Sequence, residues 1–125
     1  MILDTNGLSA MAEGDEDIEA VLQQASEIAV PVIVLGEFGF GIRHSRNRVR
    51  YERWLSELLA NCRLLVVDEQ TAKTCGEIRA ELKRDGRPIP TNNLWIAALT
   101  RQHAMSVVSR DQHFDCVRGL KRVSW

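Results

Sequence analysis

Cysteine is scarce in this chain and carries no pattern. Cys62, Cys75 and Cys116 are odd in number, far apart and without metal-ligand spacing. That argues against a disulfide framework or a thiolate metal centre, and predicts buried free thiols in a reducing compartment. Histidine is equally sparse. His103 and His113 lack a partner motif for zinc, and no Ser-His-Asp or Cys-His arrangement is visible. No apolar run approaches the ~20 residues of a membrane helix. Asp4 interrupts the apolar start and no basic segment precedes it, which argues against a secretory leader and for a cytoplasmic protein. Excess charge is missing too, the formal net charge being -1. A nucleic-acid partner must therefore be argued from local charge. Gly36, Gly39 and Gly41 lack the lysine and following hydroxyl of a phosphate-binding loop, so helix flexibility or tight packing is the better account of them. Neither a repeat, a low-complexity segment nor a linker divides the chain, and residues 1–125 read as one domain.

What is present is a globular balance, 45% apolar and 26% charged. Short apolar runs alternate with helical patterns. Met1 to Leu3, Ile28 to Val30, Leu64 to Val67, Ser106 to Val108 and Leu120 to Val123 read as strands. Asp15 to Ser26 reads as a helix with Ile18, Val21, Leu22 and Ala25 on its buried face. Pro31 suits a first helical turn, with Val32 to about His44 helical after it. Asn47 to Ala60 carries Tyr51, Trp54, Leu55 and Leu58 at helical spacing. Asp68 suits the N-cap of a helix striped by Thr71, Cys75, Ile78 and Leu82, which Asp85-Gly86-Arg87-Pro88 stops. Thr91 or Asn92 can cap a last helix through Leu94 to Leu99. The alternation predicts an α/β domain with a mostly parallel sheet.

Two of these strands run straight into acids: Leu3 into Asp4, and Val107-Val108 into Ser109-Arg110-Asp111. Sites in open α/β sheets form at the carboxyl edge, so the pair suggests one acidic pocket. Glu37 is the only charge between Ala29 and Ile42, and acids are rarely buried without a partner. Asp115 follows Asp111 by four residues, so one helical turn could carry both into the pocket. Glu13, Asp15, Glu16 and Asp17 read as a solvent-exposed run. Converging carboxylates repel one another, and a divalent cation relieves the repulsion. Oxygen ligands without histidine or cysteine favour Mg2+ or Mn2+. Such an ion can activate water for phosphodiester hydrolysis. A phosphoacceptor receiver domain also gathers acids at strand ends. It needs a lysine at the end of a late strand, and no good candidate follows Val67 or Val108.

Taken together these segments resemble the PIN-domain nucleases, in particular the VapC-type toxins of type II toxin–antitoxin pairs. The likeness rests on Ile2-Leu3-Asp4-Thr5-Asn6, Gly36-Glu37-Phe38, Ile89 to Ala98, Ser109 to Phe114 and the ending Gly119 to Trp125. It implies a three-layer α/β/α PIN-like fold with a central, mostly parallel sheet. It also implies a magnesium-dependent endoribonuclease (a hydrolase of RNA), a homodimer, and a small antitoxin able to place a basic side chain near the acids. On the resemblance, Asp4, Glu37 and Asp111 fall on the family's acidic positions and Asp115 on an additional acidic position. Thr5, Asn6 and Ser109 fall on its supporting polar positions.

The family usually has aspartate where this chain has Asn93. Asparagine keeps a carbonyl oxygen but loses the charge. Two readings stand: an asparagine native to the chain, leaving a weaker metal site or a nuclease that relies on the other acids, or a substitution that disarms a toxic enzyme. The alternative function is therefore a catalytically weakened PIN-like protein that still binds RNA or antitoxin. For RNA, Arg43, Arg46 and Arg50 are the candidate contacts, in a basic stretch with Tyr51 and Trp54 interleaved. The aromatics have core spacing. Phe38 and Phe40 are candidates for partner or dimer contact, with core burial as the equal alternative.

Overall fold

Ile2-Leu3 (β1) and Val107-Val108 (β4) are fully buried dipeptides that pair in parallel at the centre of the sheet, Ile2 beside Val107 and Leu3 beside Val108. The computed structural model describes residues 1–125. β2 (Ala29–Pro31) flanks β1, β3 (Arg63–Leu65) flanks β2, and β5 (Arg122–Val123) flanks β4, giving the order β3-β2-β1-β4-β5 with every pair parallel. Helices cover both faces, which is why the central strands read as unbroken apolar runs and not as alternating ones. The helices are α1 (Thr5–Ala12), α2 (Glu16–Leu22), α3 (Val32–Gly41), α4 (Arg48–Leu59), α5 (Glu69–Asp85) and α6 (Thr91–Gln102). A short 3₁₀ helix spans Gln112–Cys116. The three-layer α/β/α architecture expected from the resemblance is the one observed.

Local chemistry accounts for several element ends, three of the six α-helices starting on a side-chain cap. The Asp68 carboxylate accepts from the Thr71 amide at 2.9 Å while the Thr71 hydroxyl accepts from the Asp68 amide at 3.1 Å, a reciprocal cap on α5. Gly86 closes that helix in the left-handed conformation, φ 65°, which costs a residue without Cβ nothing. Asp15 caps α2 through the Asp17 and Ile18 amides. Phe38 is buried, with ring centroids 6.1 Å from Tyr51 and 6.0 Å from Trp54. The aromatics of α4 thus pack on the core, as their spacing predicted. No helix is long and apolar enough to cross a membrane.

Several expectations are corrected. Helix α1 is not among the helices read from the pattern, and Asn6 and Gly7 are poor helix formers. Its position is fixed by tertiary contact: a Cβ on Gly7 would stand 3.1 Å from Leu3 and 3.2 Å from the Val108 carbonyl. A side chain there would push Leu3 or the sheet backbone aside by a few tenths of an ångström, so glycine suits this close approach. β3 lies one to two residues earlier than expected, and Val66 and Val67 are exposed beyond it. Neither Thr91 nor Asn92 caps α6; Pro90 occupies the cap, and no side chain bonds to the first-turn amides. Of the three thiols only Cys75 is buried. Tight packing does not explain Gly36, Gly39 and Gly41, since a Cβ there would meet nothing within 4 Å. Phe40 is 84% exposed. Of the acidic run, Glu13, Glu16 and Asp17 are exposed as expected and only Asp15 is half-buried, accepting from the Trp125 indole at 3.2 Å; Glu13 accepts from the Tyr51 hydroxyl at 2.5 Å.

Candidate active site

The strand order reverses direction at β1, which is followed through α1 and α2 by β2 on one side and neighbours β4 on the other. The carboxyl ends of β1 and β4 therefore open onto a topological switch point, where parallel sheets leave a crevice. Asp4 leaves β1 there and Ser109 to Asp111 leave β4. A pocket of about 200 Å³ lies at this edge, lined by Asp4, Thr5, Asn6, Glu37, Asn93, Ile96, Asp111 and Phe114. Four elements far apart in sequence thus deliver the expected Asp4, Glu37, Asn93 and Asp111 to one hollow.

Asp4 is 3% exposed. It caps α1, one oxygen accepting from the Gly7 amide at 2.7 Å and the other from the Ser109 hydroxyl. Burial pushes its carboxyl above the usual range. The Asp111 and Glu37 charges add to that push, while the bonds from Ser109 and Gly7 pull against it. Asp111 is more open. Burial works against its charge, but the His113 amide at 2.9 Å, the Asn93 amide at 2.8 Å and the His113 ring at 2.8 Å outweigh that and hold its pKa low. Glu37, projecting from α3, accepts from the Thr5 hydroxyl at 2.9 Å through Oε1. Its Oε2 makes no hydrogen bond within the chain, which leaves it available to water or substrate.

Ser109 is the hinge of this arrangement. Fully buried, it donates to Asp4 and accepts from the Asp111 amide at 2.8 Å. Ser109→Ala would leave a buried carboxylate oxygen and an amide without partners, which costs about 1–3 kcal/mol. A urea titration of the variant should show that loss; an unchanged midpoint would mean that water replaces the hydroxyl.

Asp115 does not join the pocket. Its carboxylate is paired with Arg122 at 2.8 and 2.9 Å on the surface, and that pairing holds its pKa low. His113 was not expected to matter, yet its ring nitrogen Nδ1 faces Asp111. Because a carboxylate only accepts, Nδ1 must carry the proton. The signal was its position two residues after Asp111, the reach of an aspartate side chain to the backbone ahead of it. Asn6 is exposed at the rim of the pocket, and Arg43, Arg46 and Arg50 lie outside it on the exposed turn and start of α4.

The donor set can be tested against a hard cation. No three acidic, histidine or cysteine side chains close on one another as a ready-made ligand cage. Two acids close enough to raise the pKa of a third, with one free glutamate oxygen, instead suit an ion that keeps most of its waters.

Comparison with known proteins agrees with this fold. The PIN domain family model matches residues 1–120. The chain is similar to Ribonuclease VapC5 of Mycobacterium tuberculosis, 29% identical over 98% of this chain and 90% of that protein. Its fold matches DNA-bound VapBC from Salmonella typhimurium at a TM-score of 0.87 with 26% identity, covering 99% of this chain and 96% of that one. It also matches VapBC2 from Rickettsia felis bound to a promoter DNA fragment, at 0.89 with 23% identity over 99% and 97% of the two chains. With nearly its whole length inside the family model, the chain belongs to the PIN domain family.

Proposed function

We propose that this chain is the toxin of a type II toxin–antitoxin pair, a VapC-type endoribonuclease that hydrolyses RNA phosphodiester bonds with a divalent ion, Mg2+ or Mn2+. The observation that carries the reading is the meeting of Asp4, Glu37 and Asp111 with Asn93 in one hollow at the switch point of the sheet. Asp4, Asp111 and the Asn93 carbonyl would hold the ion, mostly through water. When bound, the ion supplies positive charge for the phosphate and lowers the pKa of water. Glu37, fixed at Oε1 by Thr5, is placed to accept a proton from the attacking water at Oε2. Thr5, Ser109 and His113 hold the acids in register. Asn6 sits at the rim, where an RNA strand enters.

Arg43, Arg46 and Arg50 stand free of ion pairs, whereas Arg48 is paired with Glu52 at 2.7 Å. A cavity of about 310 Å³ runs from Thr5 and Glu37 past Glu13 to Ser45 and Tyr51, and so reaches the turn that carries Arg43 and Arg46, although no arginine lines it. Replacing Arg46 and Arg50 together by glutamate should weaken binding of single-stranded RNA by about tenfold at low salt. Unaltered affinity would remove these arginines from the RNA path.

The relatives in complexes carry an antitoxin, and the same partner is proposed here, with a second copy of the chain and a cytoplasmic setting. An arginine from the antitoxin could pair with the pocket carboxylates in place of the metal. A second reading, a catalytically weakened protein that keeps RNA or antitoxin contact, is favoured by the Asn93 amide bonded to Asp111. A magnesium-dependent assay on single-stranded RNA, with Asp4→Ala as the inactive control, separates the two. Cleavage lost in the control supports the nuclease, and no cleavage by the wild-type chain supports the weaker reading.

A further inference from the structure

We propose that the groove between α5 and α6 is a second seat for the RNA strand, holding a nucleotide that flanks the cleaved phosphate. The inference rests on the endoribonuclease reading and names where its substrate continues beyond the acidic pocket. The groove measures about 440 Å³, within the range of pockets that enclose small ligands. Arg79 and Lys83 stand one turn apart on α5 and both line it. Neither takes part in an ion pair. The neighbouring arginines behave differently: Arg101 is matched by Glu81 and Arg118 by Asp85. No carboxylate lines the groove, so its two cations face an uncompensated hollow.

Leu82, on α5 between the two cations, shares their wall, while Ile89 and Leu94 give an apolar surface across the groove, with Pro88 and Thr91 also lining it. Charge on one side and an apolar surface on the other suit a nucleotide, phosphate to the cations and base to the wall. The groove also lies next to the chemistry. Thr91 lines it, while Asn93, two residues along the same helix, lines the acidic pocket. Residues two apart on a helix point about 200° away from each other, so the two hollows lie on opposite sides of α6, with its N-terminal turn between them. That turn has no side-chain cap, so its amides are open to a phosphate crossing from one hollow to the other. A strand whose scissile phosphate sits among the acids would therefore place a neighbouring nucleotide beside Arg79 and Lys83.

The test is binding of a labelled single-stranded oligoribonucleotide to the full chain in EDTA, over a series of salt concentrations. Arg79→Ala combined with Lys83→Ala should weaken binding by about tenfold at low salt and flatten the slope of log K against log salt by roughly 0.7, for the loss of one phosphate contact. Arg84→Ala, on α5 but outside the groove, should leave both unchanged. A matching thermal midpoint shows that the double variant folds. With magnesium present, the double variant should raise KM and leave kcat near wild type. An unchanged affinity and salt slope in the double variant would overturn the proposal, as would an absence of RNA binding by the wild-type chain. Wild-type binding without cleavage would count against the nuclease reading alone.

Discussion

Asparagine in place of Asp4 is expected to lower RNA cleavage by at least about a hundredfold and, in the same protein, to raise the stability of the metal-free fold at neutral pH. The two effects come from one carboxylate. Asp4 is buried, and its charge sits near those of Asp111 and Glu37, so burial first and repulsion second raise its pKa in the folded chain. Between the unfolded value and the raised folded value the native state binds more protons, so stability falls as pH rises through that window and stays lower above it. Asparagine carries no charge to bury and is as good an N-cap as aspartate, so α1 keeps its start through the Gly7 amide, while Ser109 must turn from donating to position 4 to accepting from the Asn Nδ2. Melting in EDTA should give Asp4→Asn the higher midpoint at pH 7, with the gap closing as pH falls and the wild-type carboxyl protonates. A lower midpoint at pH 7 would mean that the Ser109 and Gly7 bonds outweigh burial, contrary to the direction assigned here. The catalytic loss follows because an ion held at the pocket supplies several kcal/mol of charge stabilisation, and each ~1.4 kcal/mol is a factor of ten in rate.

Asp4 and Asp111 were legible in the sequence because a buried parallel strand is a short apolar run, and a polar residue ending it must surface at the sheet edge. Glu37 was legible as a lone charge in an apolar helix. What the sequence could not carry was geometry decided by remote contacts. Asp115 was placed in the pocket on α-helical spacing, but Gln112–Cys116 is a 3₁₀ helix. At three residues per turn, a residue four positions on points about a third of a turn away. The side chain then meets Arg122, which β5 brings alongside β4. Helix α1 was missed for a similar reason: its weak propensity around Asn6-Gly7 is overridden by the fit of Gly7 against Leu3 and Val108. β3 is displaced because its register is set by β2, Pro31 beside Leu65, and not by its own apolar content. The basic groove of α5 and α6 was invisible because Arg79 and Lys83 become a pair facing Leu94 only once the two helices pack.

Aspartate at position 93 is expected to destabilise the metal-free chain and to make its stability rise more steeply with magnesium. The Asn93 amide donates to Asp111 at 2.8 Å and helps to hold that carboxylate ionised. In effect the amide does part of what a cation would do, quieting one acid in a pocket of three. Asn93→Asp replaces that donor by a fourth negative charge, so a charge-assisted bond is lost and a repulsion gained. For a half-exposed pair the cost in EDTA is about 1–2 kcal/mol, or roughly 4–8 °C in the melting midpoint of a domain this size. Magnesium should then restore the lost stability, because an ion that binds only the folded state stabilises in proportion to its affinity. An added hard ligand should raise that affinity by about tenfold or more and raise cleavage with it. The decisive measurement is the melting midpoint of both proteins across a magnesium titration: steep dependence in Asn93→Asp and shallow dependence in the wild type. Parallel curves and equal cleavage would mean that position 93 lies outside the metal's reach, and that the pocket captures its ion through Asp4, Glu37 and Asp111 alone.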